Sequence, residues 1–273
     1  MRPILRGGSA VIAMAQVSWP TAALLAVAAT LVLAGPSAAI IGGEADGNNH
    51  PYAGAIGPRA PQLVASGVLI SPTVYLTAGH VILRHGNLSR VWVTFDPVVS
   101  DSSTMYPGTA HINPAYDPQS QDDTGDLGVV VLDTPVTGIT PAELPTEGLL
   151  DVLGPQGLRD TRFNVVGYGV SRSLGGSNGG GKPRPDFTSG GTRKVAQQTF
   201  MSLTSAWLRL QQHEDGQFCI GDSGSPSLLG ESDVIAGISI TIAAFGQCEN
   251  AATDQRVDTP SARAFLGQYV TLP

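Results

Sequence analysis

Cysteine is nearly absent from this 273-residue chain, which has only Cys219 and Cys248. The two do not form a C-x-x-C pair, and no histidine cluster accompanies them, which argues against a zinc centre. Charge is also scarce. Charged residues make up 14% of the chain, the net charge is −7, and there is no basic stripe. Nucleic acid and anionic membrane surfaces are therefore poor partners, and the acidity reads as solubility. After residue 39 no apolar run is long enough to span a membrane as a helix. Internal repeats and long amphipathic helical patterns are missing too. What is plentiful is glycine (34), proline (20) and apolar residues (42%). That mixture suits a turn-rich, mostly β globular protein and does not suit a disordered chain.

Residues 1–39 read as an export signal. The apolar run Thr21–Ala34 falls short of the about 20 residues a membrane span needs. Arg2 and Arg6 precede it, and Gly35-Pro36-Ser37-Ala38-Ala39 follows with small residues where a signal peptidase reads. Cleavage is expected after Ala39. An uncleaved anchor is the second reading, and Met14 is an alternative start that lacks the basic residues. Without Arg2 and Arg6, the 15 basic residues drop to 13 against 22 acidic ones. In a secreted, extracellular protein the simplest reading of Cys219 and Cys248 is one disulfide, with two buried free thiols as the alternative.

Short apolar, β-branched segments recur through the mature chain: Gln62–Ile70, Tyr75–Leu76, Val91–Phe95, Leu127–Leu132, Arg162–Val166, Trp207–Gln211 and Val234–Ile242. Turn signals such as Asn48-Asn49, Ser71-Pro72, Asn113-Pro114 and Gly221-Asp222 separate them. This punctuation predicts an all-β sandwich or barrel. One helix is expected over Ser261–Tyr269, with Thr259 or Ser261 as the cap and Pro260 in the first turn. Residues 172–191, rich in glycine and proline, read as a long flexible surface loop, and Gly138–Gly157 as a bridge between two halves.

Three positions carry candidate chemistry. Ser223 lies in Gly221-Asp222-Ser223-Gly224-Ser225-Pro226. A serine hydroxyl is a weak nucleophile that needs a general base, an orienter for that base, and donors for the developing oxyanion. The flanking glycines let backbone N–H groups face a substrate carbonyl without obstruction. His80, in Leu76-Thr77-Ala78-Gly79-His80, follows an apolar strand. Asp126 opens Asp126-Leu127-Gly128-Val129-Val130-Val131-Leu132, where a buried acid is costly unless it is hydrogen-bonded. Taken singly, each has a plainer reading: a turn serine, a packed histidine, a solvated acid. Asp117, Asp122 and Asp123 read as a solvated loop; they are spaced too widely for a calcium loop, and no metal or other cofactor is expected. Asn87-Leu88-Ser89 fits a glycosylation acceptor.

Together with Ile40-Ile41-Gly42-Gly43 and Val165-Val166-Gly167-Tyr168-Gly169, these motifs resemble the landmarks of the chymotrypsin/trypsin family over nearly all of residues 40–270. They occur in that family's order of His, Asp and Ser. The resemblance implies two six-stranded antiparallel β-barrels packed together with a short C-terminal helix. The N-terminal barrel would take about residues 40–145 and the C-terminal barrel about 146–273. It also implies a monomeric serine endopeptidase acting on protein or peptide substrates, with no stable membrane association once the signal is removed. His80 would be general base, Asp126 its orienter and Ser223 the nucleophile, with the N–H groups of Gly221 and Ser223 forming the oxyanion hole. Cys219 and Cys248 match a family disulfide beside the primary specificity pocket. The family also pairs a freed N-terminal amine with the acid before the serine. Here those would be Ile40 and Asp222, and cleavage after Ala39 would itself expose the amine.

The chain departs from the family pattern at several places. Val81 replaces a cysteine, Gly79 an alanine and Ser225 a glycine. Gln217 stands six residues before Ser223, where trypsin-like members carry an aspartate, so a preference for Lys or Arg is not expected. The pocket strand Gly237–Ile242 lacks the family's Trp-Gly pair. With Ile240, Thr241 and Ile242 lining it, the pocket is expected to favour small or aliphatic side chains. Two other functions compete. One is a catalytically silent binding relative, which would have lost a triad residue. The other is an esterase or lipase on an α/β-hydrolase fold, which needs glycine two residues after the serine and a chain order that begins with serine. This chain has Ser225 and the opposite order.

Overall fold

The computed structural model describes residues 40–59, 62–84, 89–173, 184–186, 190–213, 216–242, 248 and 251–273. The leader, Asn87 and much of 172–191 lie outside the described residues. Strand β1 (Glu44–Ala45) comes first. It is followed by β2 (Ala53–Gly57), β3 (Ala65–Ser71), β4 (Val74–Thr77), helix α1 (Gly79–Arg84), β5 (Arg90–Thr94), β6 (Tyr106–Ile112) and β7 (Gly128–Leu132). After helix α2 (Leu149–Leu158) come β8 (Arg162–Gly167), β9 (Ser171–Ser173), β10 (Arg184–Asp186), β11 (Lys194–Leu203), β12 (Trp207–Gln211), β13 (Pro226–Leu229), β14 (Ile235–Ile242), β15 (Ala251–Arg256) and helix α3 (Pro260–Leu266).

Strands β2–β7 close into an antiparallel barrel in the order β2-β3-β4-β7-β6-β5, and β5 pairs back onto β2. The second barrel runs β11-β12-β15-β14-β13-β8 and closes through the β8–β11 ladder. Both barrels are six-stranded. Closure leaves the apolar strands no free edge. Strand β1 pairs with β11 and so joins the second sheet.

The principal apolar core includes Val68, Leu76 and Val129 of the first barrel with Val166, Leu228 and Ile238 of the second. Each such buried side chain contributes about 1.5–3 kcal/mol. A separate cluster, including Leu150, Phe163, Val165, Leu208 and Leu210, fills the second barrel. Helix α3 carries the expected cap: the Thr259 side chain accepts from Ala262 N–H (3.2 Å), and Pro260 opens the first turn. Its Phe265 and Leu266 join the principal core. Helix α2 lies inside the stretch read as a linker. Gly154 (φ +61°) and Pro155 interrupt it, which is why its composition did not read as helical.

A buried ion pair ties the segment that follows Ile40 to both barrels. Arg193, wholly inaccessible, donates through Nε to Asp46 Oδ2 (2.8 Å). Its Nη1 donates to the carbonyls of Ala53 and Phe95, and its Nη2 to that of Gly47. The guanidinium is thus almost fully hydrogen-bonded, as a buried charge requires.

Candidate active site

His80 is the second residue of α1, two residues beyond Ala78 and three beyond the end of the buried strand β4. Its backbone N–H donates to Asp126 Oδ1 (2.7 Å), and its Nδ1 lies 2.7 Å from Asp126 Oδ2. A carboxylate only accepts, so Nδ1 carries the proton of this bond and the neutral ring's Nε2 is left as an acceptor. Both side chains are nearly buried. Gly79 explains its own departure from the family alanine: a Cβ there would lie 2.9 Å from Leu127 O and 3.3 Å from Asp126 Oδ1.

Gln255, on β15 of the second barrel, holds the acid's loop. Its Oε1 accepts from Asp126 N–H (3.4 Å) and Thr124 Oγ1 (3.1 Å). Its Nε2 donates to Asp123 Oδ1 (2.9 Å). Asp123 is therefore a structural member of this loop.

The Ser223 loop comes from the second barrel but is fastened to the first. Ser66 N–H donates to Ser223 O (3.0 Å). Ser66 Oγ donates to Gly221 O (2.9 Å) and accepts from Tyr168 N–H (2.9 Å). Gly221 (φ +92°) and Gly224 (φ +89°) adopt conformations that side chains rarely allow. A Cβ on Gly224 would also collide with Ser66 O and Thr77 Oγ1 at 2.2 Å. His80, Gly221 and Ser223 line one cleft of roughly 630 Å³, with Val64, Tyr168 and Gly190 among its other walls.

Asp222 points inward, fully buried. Its Oδ1 accepts from Gly169 N–H (2.7 Å) and its Oδ2 from Cys219 N–H (3.0 Å). Burial pushes its carboxyl up to about 7 against the weaker pull of those two donors. Gly167 and Gly169 make room for it: a Cβ on either would stand within 2.5 Å of a carboxylate oxygen. Ile40 is wholly buried, with its carbonyl accepting from Gly43 N–H, while its neighbour Ile41 exchanges backbone hydrogen bonds with Gln217. In this full chain the Ile40 nitrogen is a peptide amide, not an amine, and no hydrogen bond joins it to Asp222 among the described residues.

Cys219 and Cys248 form a disulfide. Gln217 is buried, Ile240 is half-buried and Thr241 exposed. Ile242 pairs with Ala252, but its side chain lies outside the described residues. Ser239 is fastened to the Ser223 loop: its carbonyl accepts from Gly224 N–H (2.8 Å), and its N–H donates to Ser225 O (2.9 Å). The sequence had pointed to neither Ser239 nor Ser66, Gln255 or Asp254. A polar run inside an apolar barrel strand, Thr253-Asp254-Gln255-Arg256, was the available signal.

A family model described as Trypsin matches residues 39–264. Among matching solved structures is one titled HL collagenase, 17% identical, with a TM-score of 0.64, covering 84% of this chain and 97% of that one. At that identity the likeness speaks for the fold alone. No curated protein matches the sequence.

Proposed function

This chain belongs to the trypsin family, a family of serine-type endopeptidases, and on that premise we propose that it is a secreted peptidase working through His80, Asp126 and Ser223. The observation that carries the reading is the paired His80–Asp126 contact opening on the cleft that Ser223 also lines. In this mechanism His80 Nε2 takes the Ser223 Oγ proton as Oγ attacks the scissile carbonyl. Asp126 holds the ring and stabilises the imidazolium that forms. The N–H groups of Gly221 and Ser223 take the oxyanion, and the positive φ of Gly221 suits that task. The tetrahedral intermediate expels the amine, which receives the proton from His80. Water then hydrolyses the acyl-enzyme by the same route.

Secretion is supported by the leader-like residues 1–39 and by the Cys219–Cys248 disulfide. No helix among the described residues is long and apolar enough to cross a membrane. The protein acts as a monomer on protein or peptide chains, and its two domains follow the two barrels. Export also activates it: cleavage after Ala39 frees the Ile40 amine to pair with Asp222. Mass spectrometry of the secreted protein, finding a start other than Ile40, would overturn that step. The catalytic reading is tested by an active-site fluorophosphonate. Labelling of the secreted protein, lost in Ser223→Ala together with at least ~10⁴-fold of peptidase activity, is the expected result. Undiminished labelling of the variant refutes it.

A further inference from the structure

The interior of the second barrel carries buried polar side chains beside its apolar filling. Gln198 and Gln212 (both amide atoms of each), Ser225 Oγ, Ser227 Oγ and Asp254 Oδ2 are buried with no hydrogen-bond partner. Strand register shows where they face. Paired residues share a face of the sheet. Ser227 pairs with Val165, Gln198 with Phe163, and Asp254 with Leu208. Val165, Phe163 and Leu208 all belong to the cluster that fills this barrel. Gln212 follows Gln211, which pairs with Thr199, so the register sets it beside Gln198. Asp254 is the only acid of the group. Ser239, its partner on β14, donates to Oδ1 (2.8 Å). Ser227 Oγ approaches the same carboxyl without reaching hydrogen-bond geometry.

An ionised carboxylate with one oxygen unmet inside a barrel is expensive, and no cation is paired with it among the described residues. Its position relative to Ser223 gives the missing partner an address. Ser239 is hydrogen-bonded to Gly224 and Ser225, and Asp254 lies on the next strand. Two strand spacings put Asp254 about 10 Å from the nucleophile's loop. That is the reach of an extended basic side chain whose carbonyl carbon stands at Ser223. An ammonium brings three donors and a guanidinium five, whereas the unmet oxygens here need donors. An aliphatic side chain would leave them unmet, and an acidic one would be repelled.

We propose that Asp254 closes the floor of the primary specificity pocket and receives the cationic end of a substrate lysine or arginine side chain. The proposal rests on Ser223 being the nucleophile. It departs from the preference expected from Gln217 alone, because the counter-charge sits on a different strand.

The test uses the secreted protein and Asp254→Asn, which keeps the side chain's shape. Peptides differing only in the residue before the cleaved bond (Arg, Lys, Gln, Leu, Ala) give kcat/KM, and calorimetry gives benzamidine binding. The wild type should cleave after Arg or Lys and bind benzamidine. In Asp254→Asn, kcat/KM for Arg should fall by on the order of 100-fold or more, with Leu and Ala substrates little changed. A wild type that prefers Leu or Ala, or an Arg-to-Leu ratio unmoved by Asp254→Asn, overturns the proposal. If Asp254→Asn does not fold, wild-type benzamidine binding decides: tight binding supports the pocket and none refutes it. Loss of fluorophosphonate labelling with benzamidine binding intact would instead sink the peptidase reading and leave the cation site standing.

Discussion

Asp222 offers a quantitative handle on activation. Burial lifts its carboxyl from 3.8 to about 7 in the chain whose Ile40 nitrogen is still an amide. The unfolded chain ionises near 3.8, so between about pH 4 and pH 7 the folded form holds a proton that the unfolded form has lost. Stability therefore falls as pH rises through that window, by about 4 kcal/mol for a shift of about three units. Asp254, raised to about 6, adds a loss of the same sign, about 3 kcal/mol. A cationic amine set against Asp222 lowers its folded pKa and removes its share, leaving that of Asp254. Two forms should therefore be compared by urea unfolding at pH 5 and pH 8, one beginning at Ile40 and one at Ser37. The longer form should lose about 3 kcal/mol more on going from pH 5 to pH 8, since only about two of those three units lie above pH 5, and the Ile40 form should be the more active. Equal losses in both forms would show that the amine never reaches Asp222, and the reasoning about activation would fall with them.

Other changes follow from the same contacts. Gln255→Leu frees the Asp126 loop, so kcat should fall roughly 10- to 100-fold with KM within about twofold; a change confined to KM would contradict a positioning role. Arg193→Met takes the guanidinium from buried Asp46, leaving it only the His50 backbone N–H and ring, and should cost about 3–5 kcal/mol of unfolding free energy. Adding Asp46→Asn should recover part of that cost, and strictly additive losses would show that the pair is not coupled.

Much of the site was legible because its residues sit in short runs: Thr77-Ala78-Gly79-His80, Asp126-Leu127 and the Gly221–Gly224 loop each announce themselves locally. Strands with apolar runs, such as β4, β7 and β12, could be read directly. Others could not. Strand β2 is Ala-Gly-Ala-Ile-Gly, which looks like a turn until its neighbours close the barrel over it. Strand β11 holds Gln197-Gln198-Thr199 in a row between apolar residues, so it shows no clean two-residue period. Gln255 and Asp254 were invisible for a deeper reason. Each matters only through the strand it lies beside, and cross-strand register is not written in any one segment.

Ser66 gives the molecule a mechanical property. In the proposed mechanism base and acid stand on one barrel and the nucleophile's loop is built from the other, so a flexing between the halves would part them. The bonds from Ser66 to Ser223 and Gly221 transfer that loop to the barrel that carries His80. Under the proposed mechanism, a flexing of the halves would carry Ser223 along with His80 and Asp126, so a product could be released without disturbing the aim for the next bond.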